Sequence, residues 1–399
     1  AAGIAVPMFD IESYDSMMAA LGALAPELAE RAAEMEEVRR LPADLAEKMA
    51  RAGAFRMMTP KTYGGLELSA REFVEGVERI ARANASAGWC SMIACTTSMN
   101  AAYMAPDMAA EIYASPMTIT GGVFAPMGRA EVEGDGYRVT GRWQWGSGSA
   151  NCSWLAGGCM VFEKGEMKRL PSGAPDQRMM VFPASDATLH DTWHVMGLKG
   201  TGSGDLSVDG IFVPKARSVS LVTDTPHETG PLYTFPPFGL LSLGVSAVAM
   251  GNARASLDAF KELAAGKKSQ GSKKTLAERQ TIQAAFAEAE AKWRAARAYM
   301  MAELDETWSV ARDVKPGEGI PVERRAALRM ACTHMTRTGA DICRALYDLG
   351  GGAALFEASD LQRRFRDSHA MTQHIVTAPA TWELTGRLLL DLPTEAGMV

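Results

Sequence analysis

The spacing of apolar residues divides the chain into three zones. From residue 10 to about 118 apolar positions recur every three to four residues, which predicts helices. Ser69-Ala70-Arg71-Glu72 has the form of a capping box, in which hydroxyl and carboxylate each take a backbone N–H at a helix start. Phe73, Val74, Val77, Ile80 and Ala81 then fall on one face of the helix it opens, and the segment from Pro60 to Gly65 is the loop before it. Trp89 opens a second, more buried helix containing Met92, Ile93 and Met99.

From about 119 to 225 Gly and Pro punctuate short alternating runs. Gly134-Asp135-Gly136 followed by Tyr137, Arg138 and Val139 predicts a tight hairpin. Further strands are expected around 152–162, 178–183 and 204–213, the last ending at Val213-Pro214. Short strands without intervening helices predict an antiparallel barrel or sandwich. From about 236 the helical period returns, over Pro237 to Ala265, Thr275 to about 311, Pro321 to Leu349 and about 360 to 391. Ile282, Phe286, Ala289 and Trp293 form a stripe on the second of these, and Gly350-Gly351-Gly352 closes the third. Four long helices can pack as a bundle. The fold class expected is therefore α+β, with a helical domain over 1–118, a β domain over 119–225 and a four-helix bundle over 226–399.

Composition narrows the function. The chain has 399 residues, 47% of them apolar, enough for a large core. A net charge of −6 argues against a nucleic-acid surface. No apolar run is long enough to span a bilayer, and the first residues, Ala1 to Pro7, lack the basic start of a signal peptide. A cytoplasmic setting with no membrane partner is expected. The six cysteines, Cys90, Cys95, Cys152, Cys159, Cys332 and Cys343, form no Cys-x-x-Cys pair and read as reduced and buried. Cys332-Thr333-His334 is too sparse for a metal site, and His190 to His194 lacks the glutamate of a zinc helix, so no metal site is expected. Gly200-Thr201-Gly202-Ser203-Gly204 leads into a strand and not a helix, so the dinucleotide reading fails on context. The basic linker Gly266 to Lys274, including Lys268, is a solvated loop by default and a phosphate contact as the alternative.

The densest candidate chemistry lies in Arg366-Asp367-Ser368-His369 followed by Met371-Thr372-Gln373-His374. Imidazole is the side chain whose ordinary pKa lies near neutrality. On a regular helix His369 and His374 would stand about 140° apart, so a His–His metal pair is not expected. That leaves proton handling by one of them, or a hydrogen bond from a core histidine to a carbonyl.

Helices, then a barrel, then a bundle is the order of the acyl-CoA dehydrogenase superfamily, which the chain resembles over almost its whole length. Pro60 to Gly65 resembles its first-domain loop. Gly141-Arg142-Trp143-Gln144-Trp145-Gly146-Ser147-Gly148 resembles its flavin-binding segment. Met196 to Ser203 through Pro214 resembles its closing strands, and Gly350-Gly351 and Arg366-Asp367 resemble its last helices. Dehydrogenases of the superfamily carry Tyr-Glu-Gly-Thr about eight residues after the Arg-Asp pair, and the Glu removes the α-proton of a thioester. Here that stretch is Met371 to Val376, with no carboxylate. It resembles instead the oxygenase components of two-component flavin monooxygenases. That resemblance implies reduced FMN or FAD supplied by a separate NAD(P)H:flavin reductase, O₂, and oxygen transfer from a flavin C4a-hydroperoxide to an aromatic, heteroaromatic or polycyclic molecule. It also implies a homotetramer. The 25 methionines suit a dry, adaptable pocket, and ordinary core filling explains them equally.

The resemblance assigns Trp145, Ser147, Trp193, Phe124, Lys268 and Gly351 as flavin contacts, and Thr97, Met99 and His374 to the substrate pocket. Ser147 is the hydroxyl expected near flavin N5, with a turn between two glycines as the alternative role. His374 is the expected acid/base, with a pKa near 7 suited to deprotonating a phenol, and His369 has a supporting part. Thr97 stands where phenol hydroxylases of this branch often have a histidine, and Thr234 where they often have an arginine, so a simple phenol is not implied. The runner-up is an acyl-CoA dehydrogenase whose base lies elsewhere, at Glu357 or Glu383.

Overall fold

Backbone groups at helix ends need partners, and the expected cap supplies them. Ser69 N–H donates to Glu72 Oε2 at 2.8 Å, and Glu72 N–H donates back to Ser69 Oγ at 3.3 Å. The helix it opens is the fourth of six: α1 (Tyr14–Glu30), α2 (Ala32–Val38), α3 (Ala43–Arg51), α4 (Ala70–Ala83), α5 (Ala85–Ser98) and α6 (Pro106–Ile112). α5 begins before Trp89 because Asn84 Oδ1 accepts the Ala87 N–H at 3.1 Å, a cap one turn earlier than the apolar pattern suggests. The structure, a computed structural model, describes residues 11–268, 271–315, 318–395 and 397. They form two compact units. One takes the chain up to Glu72, Cys90–His194 and Lys199–Thr229; the other takes Phe73–Trp89, Val195–Leu198 and the chain from Gly230.

The first unit is built on a sheet of eight strands: β1 (Thr120–Glu133), β2 (Gly136–Trp143), β3 (Trp154–Glu163), β4 (Glu166–Met167), β5 (Gln177–Pro183), β6 (Thr188–Leu189), β7 (Leu206–Pro214) and β8 (Ser218–Val219). Their order is β6-β7-β2-β1-β3-β5-β8, with β4 on β3. The β1–β2 hairpin turns at Gly134-Asp135 as expected, with Glu133 opposite Gly136. The sheet is not the purely antiparallel one expected, because β1 and β3 pair in parallel, Thr120 opposite Trp154. The chain leaves β2, crosses the start of β1 through residues 144–153, and enters β3 on its far side. Alternation of apolar residues marks a strand but not its neighbour, so the crossover was invisible in the sequence.

Trp143, fully buried, anchors this unit's core with Val139, Leu155, Phe182 and Leu206. Its indole N–H donates to the Gly158 carbonyl at 2.7 Å. Gly128, Gly141 and Gly157 wall the ring, and a Cβ on any of them would overlap it.

The second unit holds α7 (Pro231–Thr234), α8 (Pro237–Gly266), α9 (Gln280–Asp313), α10 (Val322–Gly350), α11 (Asp360–Met371) and α12 (Ala380–Leu389). The predicted stripe on α9 packs inward. Phe286 lies 5.9 Å from Phe260 of α8, ring centre to ring centre, and the Trp293 indole N–H donates to Met250 O at 3.0 Å. The single helix expected over 360–391 is two, because residues 372–379 form a turn. Pro379 has no N–H to continue a helix, and Thr372 Oγ1 donates to the His369 carbonyl at 2.7 Å, closing α11.

A Cβ on Gly157 would lie 2.5 Å from the Trp143 ring, which has no free space to move into. Gly157→Ala is expected to cost about 1–3 kcal/mol, read as a lower denaturation midpoint. A midpoint equal to that of the parent protein would show that the indole repacks without strain.

Candidate active site

In the first unit the crossover carries the flavin-side candidates. After Trp143 the backbone turns through Trp145, which has φ 65°, so its indole stands 61% exposed instead of following its neighbour into the core. Gly148 follows at φ 72°. Two backbone bonds stitch this loop to residues 201–204: Gly146 N–H donates to Gly204 O at 2.9 Å and Gly148 N–H to Thr201 O at 2.8 Å. Between them runs a buried row of hydroxyls. Ser147 Oγ and Ser203 Oγ share a hydrogen bond of 2.6 Å, and Ser203 Oγ and Thr201 Oγ1 share another of 2.6 Å. Each hydroxyl can donate once and accept twice, so the row can pass a proton along without breaking. Ser147 also faces a small recess with Cys90, Asn151 and Cys152, of about 10 Å³, room for about one water. Burial raises the Cys90 thiol to about 12, which leaves it an inert wall of that recess.

The run from His190 to His194 is neither helix nor strand, with Thr192 N–H bonded to His190 O and His194 N–H to Thr192 O, and it is held by its neighbours. Arg39 donates to both carboxylate oxygens of Asp191, at 2.5 and 2.9 Å, and to the Trp193 carbonyl at 3.3 Å. Thr192 Oγ1 donates to Asp205 at 2.9 Å. These bonds fix Trp193, which is half-buried. Arg39, Ser203 and Thr201 were not singled out from the sequence, although the Gly-Thr-Gly-Ser run pointed at the last two. Thr97, half-buried on α5, lines a second small recess with Asn100, Tyr113 and Thr120; Met99 is buried at the end of α5, and Phe124 is half-buried in β1.

In the second unit α11 carries the arginine–aspartate run. Arg364 is buried and donates to the carbonyls of Ala81, Arg82 and Ala83, at 3.1, 3.0 and 3.0 Å, which are the last of α4. Arg366 donates to Met196 O at 2.6 Å, and Asp367 Oδ1 accepts the Leu198 N–H at 2.6 Å. Leu198 sits at φ 53°, and a Cβ on Gly197 would overlap the Arg366 carbonyl, so this strap admits no side chain there. The clamp gives the Arg-Asp pair a physical role.

His369 is satisfied locally. Its Nδ1 donates to the Phe365 carbonyl at 3.0 Å and its ring packs on Phe365. His374 lies beyond the helix, in the turn, so the 140° estimate for a regular helix does not apply to it. Its ring meets Trp89 edge-on at 5.6 Å, and its Nδ1 accepts the Val376 N–H at 3.3 Å. Burial, and then the nearby Arg329 cation, push its pKa down to about 4. That departs from the base near 7 expected from the sequence: the imidazole is neutral at physiological pH but holds a proton poorly. Gly351, at φ 55°, ends α10; Lys267 Nζ donates to the Gly350 carbonyl at 2.6 Å, while Lys268 beside it is exposed. Glu357 and Glu383, the alternative bases, are both exposed.

The family model described as "Acyl-CoA dehydrogenase, N-terminal domain" matches residues 18–109, and that described as "Acyl-CoA dehydrogenase, C-terminal domain" matches residues 243–379. An indole-3-acetate monooxygenase of Acinetobacter baumannii is 31% identical over 94% of this chain and 95% of its own length. The oxygenase subunit HsaA, a flavin-dependent monooxygenase of Rhodococcus jostii, is 30% identical over 91% of this chain and 94% of its own. The crystal structure of 3-HSA hydroxylase from Rhodococcus sp. RHA1 superposes with a TM-score of 0.87 at 28% identity, covering 96% of this chain and 99% of that one. The chain belongs to the acyl-CoA dehydrogenase superfamily and is a flavin-dependent monooxygenase of the oxygenase-component type.

Relatives of the oxygenase include a flavin-dependent oxygenase subunit and an FADH(2)-dependent oxygenase component, so the group its site is tested for is a flavin. Its residues fit such a group. A flat heteroaromatic ring calls for an aromatic wall, and Trp145 is held in solvent by a positive backbone angle that costs energy. A ring edge that gains and loses a proton calls for hydroxyls able to do both, and Ser147 heads a row of them. The overall fold of helices, central mixed sheet and C-terminal helices agrees with the superfamily.

The depressed pKa of His374 links stability to pH. As pH falls the unfolded chain takes up the proton first, near 6.5, and the folded chain only near 4. The stability gained from keeping the ring neutral is therefore complete above about pH 6.5 and lost progressively below it, by at most about 1.4 kcal/mol per pH unit. Denaturation midpoints of the parent protein should fall more steeply between pH 6.5 and 4.5 than those of His374→Gln. Parallel slopes would mean that the ring titrates normally.

Proposed function

We propose that the oxygenase inserts one oxygen atom of O₂ into an aromatic or heteroaromatic small molecule, with His374 as the polar group that meets the substrate. The observation that carries this reading is an imidazole, half-buried with its ring edge-on to Trp89, in the stretch where the dehydrogenase branch has a carboxylate. The names of the relatives support the substrate class: one is an indole-3-acetate monooxygenase and another a resorcinol hydroxylase.

The reduced flavin, when bound, supplies the two electrons that let O₂ yield one atom to the substrate and one to water. The protein's own residues do the rest. Ser147, steadied by Ser203 and Thr201, holds or returns a proton at flavin N5. Trp145 and Trp193 wall the ring system, with Phe124 beside them. Lys268 and Gly351 contact the flavin's polar tail; the neighbouring lysine–carbonyl bond of Lys267 orders that chain end. Thr97 and Met99 line the substrate pocket. FMN and FAD both suit this set. We further propose the family's homotetramer, a cytoplasmic setting where NAD(P)H sustains the reductase, the division at 118 and 225, and closure of the sheet and of α8–α11 into the superfamily's barrel and four-helix bundle.

The test supplies NADH, a general flavin reductase, FMN or FAD, and a panel of aromatic acids, phenols and indoles under ¹⁸O₂. One ¹⁸O atom is expected in the product. Anaerobic bleaching of bound FAD by an acyl-CoA, with no ¹⁸O incorporation, would overturn the reading in favour of a dehydrogenase. His374→Ala is expected to keep O₂ consumption but release H₂O₂ in place of product, a loss of about 10²–10⁴-fold in coupled turnover. Coupled turnover within twofold of the parent would remove His374 from the site.

A further inference from the structure

Three side chains of α10, spaced one helical turn apart, hold the segment that carries His374. Arg329 Nε donates to the Val376 carbonyl at 2.7 Å. Thr333 Oγ1 shares a hydrogen bond of 2.9 Å with Thr381 Oγ1. Arg337 Nη1 donates to the Thr377 carbonyl at 3.4 Å. Arg329 is 3% exposed and Val376 1%, so the innermost of these contacts is dry, where a charge-assisted hydrogen bond is at its strongest.

Val376 is held from both sides. Its carbonyl takes the guanidinium, and its N–H donates to His374 Nδ1. A backbone N–H can only donate, so Nδ1 must keep its lone pair and the ring proton must sit on Nε2. A general base needs the reverse: a free lone pair on the nitrogen turned toward the substrate.

We propose that Arg329 is a positioning residue for His374: by fixing Val376 it locks the imidazole in the Nε2–H form, so that His374 meets its substrate as a hydrogen-bond donor and not as a base. Among the described residues, the charge that acts on the ring is Arg329 of α10, while Arg337 of α10 meets the turn at the Thr377 carbonyl and Trp89 packs its uncharged indole edge-on against the ring. A cation beside a desolvated imidazole disfavours a second proton on it, so the donor stays neutral and single. A neutral donor suits a substrate that arrives with an acceptor oxygen already ionised, such as a phenolate or a carboxylate. It holds that oxygen while the neighbouring ring carbon is oxygenated, and the substrate gives up its proton in solution.

The consequence for catalysis rests on the oxygenase reading, but the test does not. Histidine labelled with ¹³C and ¹⁵N is incorporated, and the His374 signals are identified by their loss in His374→Gln. The expected result is an Nε2-protonated ring that does not titrate between pH 8 and 5.5. In Arg329→Met the ring is expected to titrate at a higher pH than in the parent protein, while burial still holds it below the ordinary value of 6.5, and to mix tautomers, and Arg329→Lys, which keeps the charge, should lie between. A merely structural role for Arg329 would lower stability without moving the tautomer. An Nδ1-protonated ring in the parent protein overturns the proposal outright, whether or not the variants fold. So does an unchanged tautomer and titration in Arg329→Met. Absence of oxygenation by the parent protein would sink the functional reading and leave these spectra as they are.

Discussion

The second unit depends on one buried cation. Arg364 lies inside the protein and, among the described residues, bonds to three carbonyls at the C-terminus of α4 and to Asn252 Oδ1 of α8, with no carboxylate among these partners. Moving a guanidinium out of water costs several kcal/mol. Four acceptors, together with the negative end of a helix dipole, offset it. The backbone carbonyl of Arg364 in turn accepts from Asn252 of α8, 2.9 Å away. One residue thus ties α4, α8 and α11 together, and the rotation of α11 about its axis is no longer free. Arg366 and Asp367 then have to face the 196–198 strap, and the chain has to leave the helix toward α10.

A different constraint shapes the first unit. Putting β3 parallel to β1 requires the chain to cross one end of the sheet between β2 and β3. The crossing segment cannot pair as a strand, so its backbone groups take partners from residues 201–204. Ser147 and Ser203 are brought together by that requirement. The hydroxyl row is therefore a by-product of strand order, available for chemistry because the crossing had to be stitched somewhere.

Much of this was legible in the sequence, and the parts that were not share a cause. The capping box at Ser69, the hairpin at Gly134-Asp135, the α9 stripe and the long helices all follow from local spacing. The choice of Ser147, Trp193 and His374 came instead from the resemblance to flavin oxygenases, not from spacing. The parallel pairing of β1 and β3, the clamp of Arg39 on Asp191, and the reach of Arg329 to Val376 join residues far apart in sequence, where periodicity carries no signal. Trp143 and Trp145 show the same limit at close range. They stand two residues apart, yet a single positive φ sends one into the core and the other into solvent.

The break after Met371 is the step on which the chemistry turns. Had α11 continued, the Val376 N–H would have bonded to the Thr372 carbonyl, and His374 would have lacked its donor. Pro379 could not have served the carbonyl of Ile375 in such a helix, and the threonine hydroxyls at 372 and 377 compete for the carbonyls a continuing helix would use. The chain instead closes in short turns, His374 N–H to Met371 O and Thr377 N–H to His374 O. Those turns free one N–H for a side-chain acceptor, and the nearest is the imidazole two residues back. The same break that spoils the helix fixes which histidine nitrogen carries the proton.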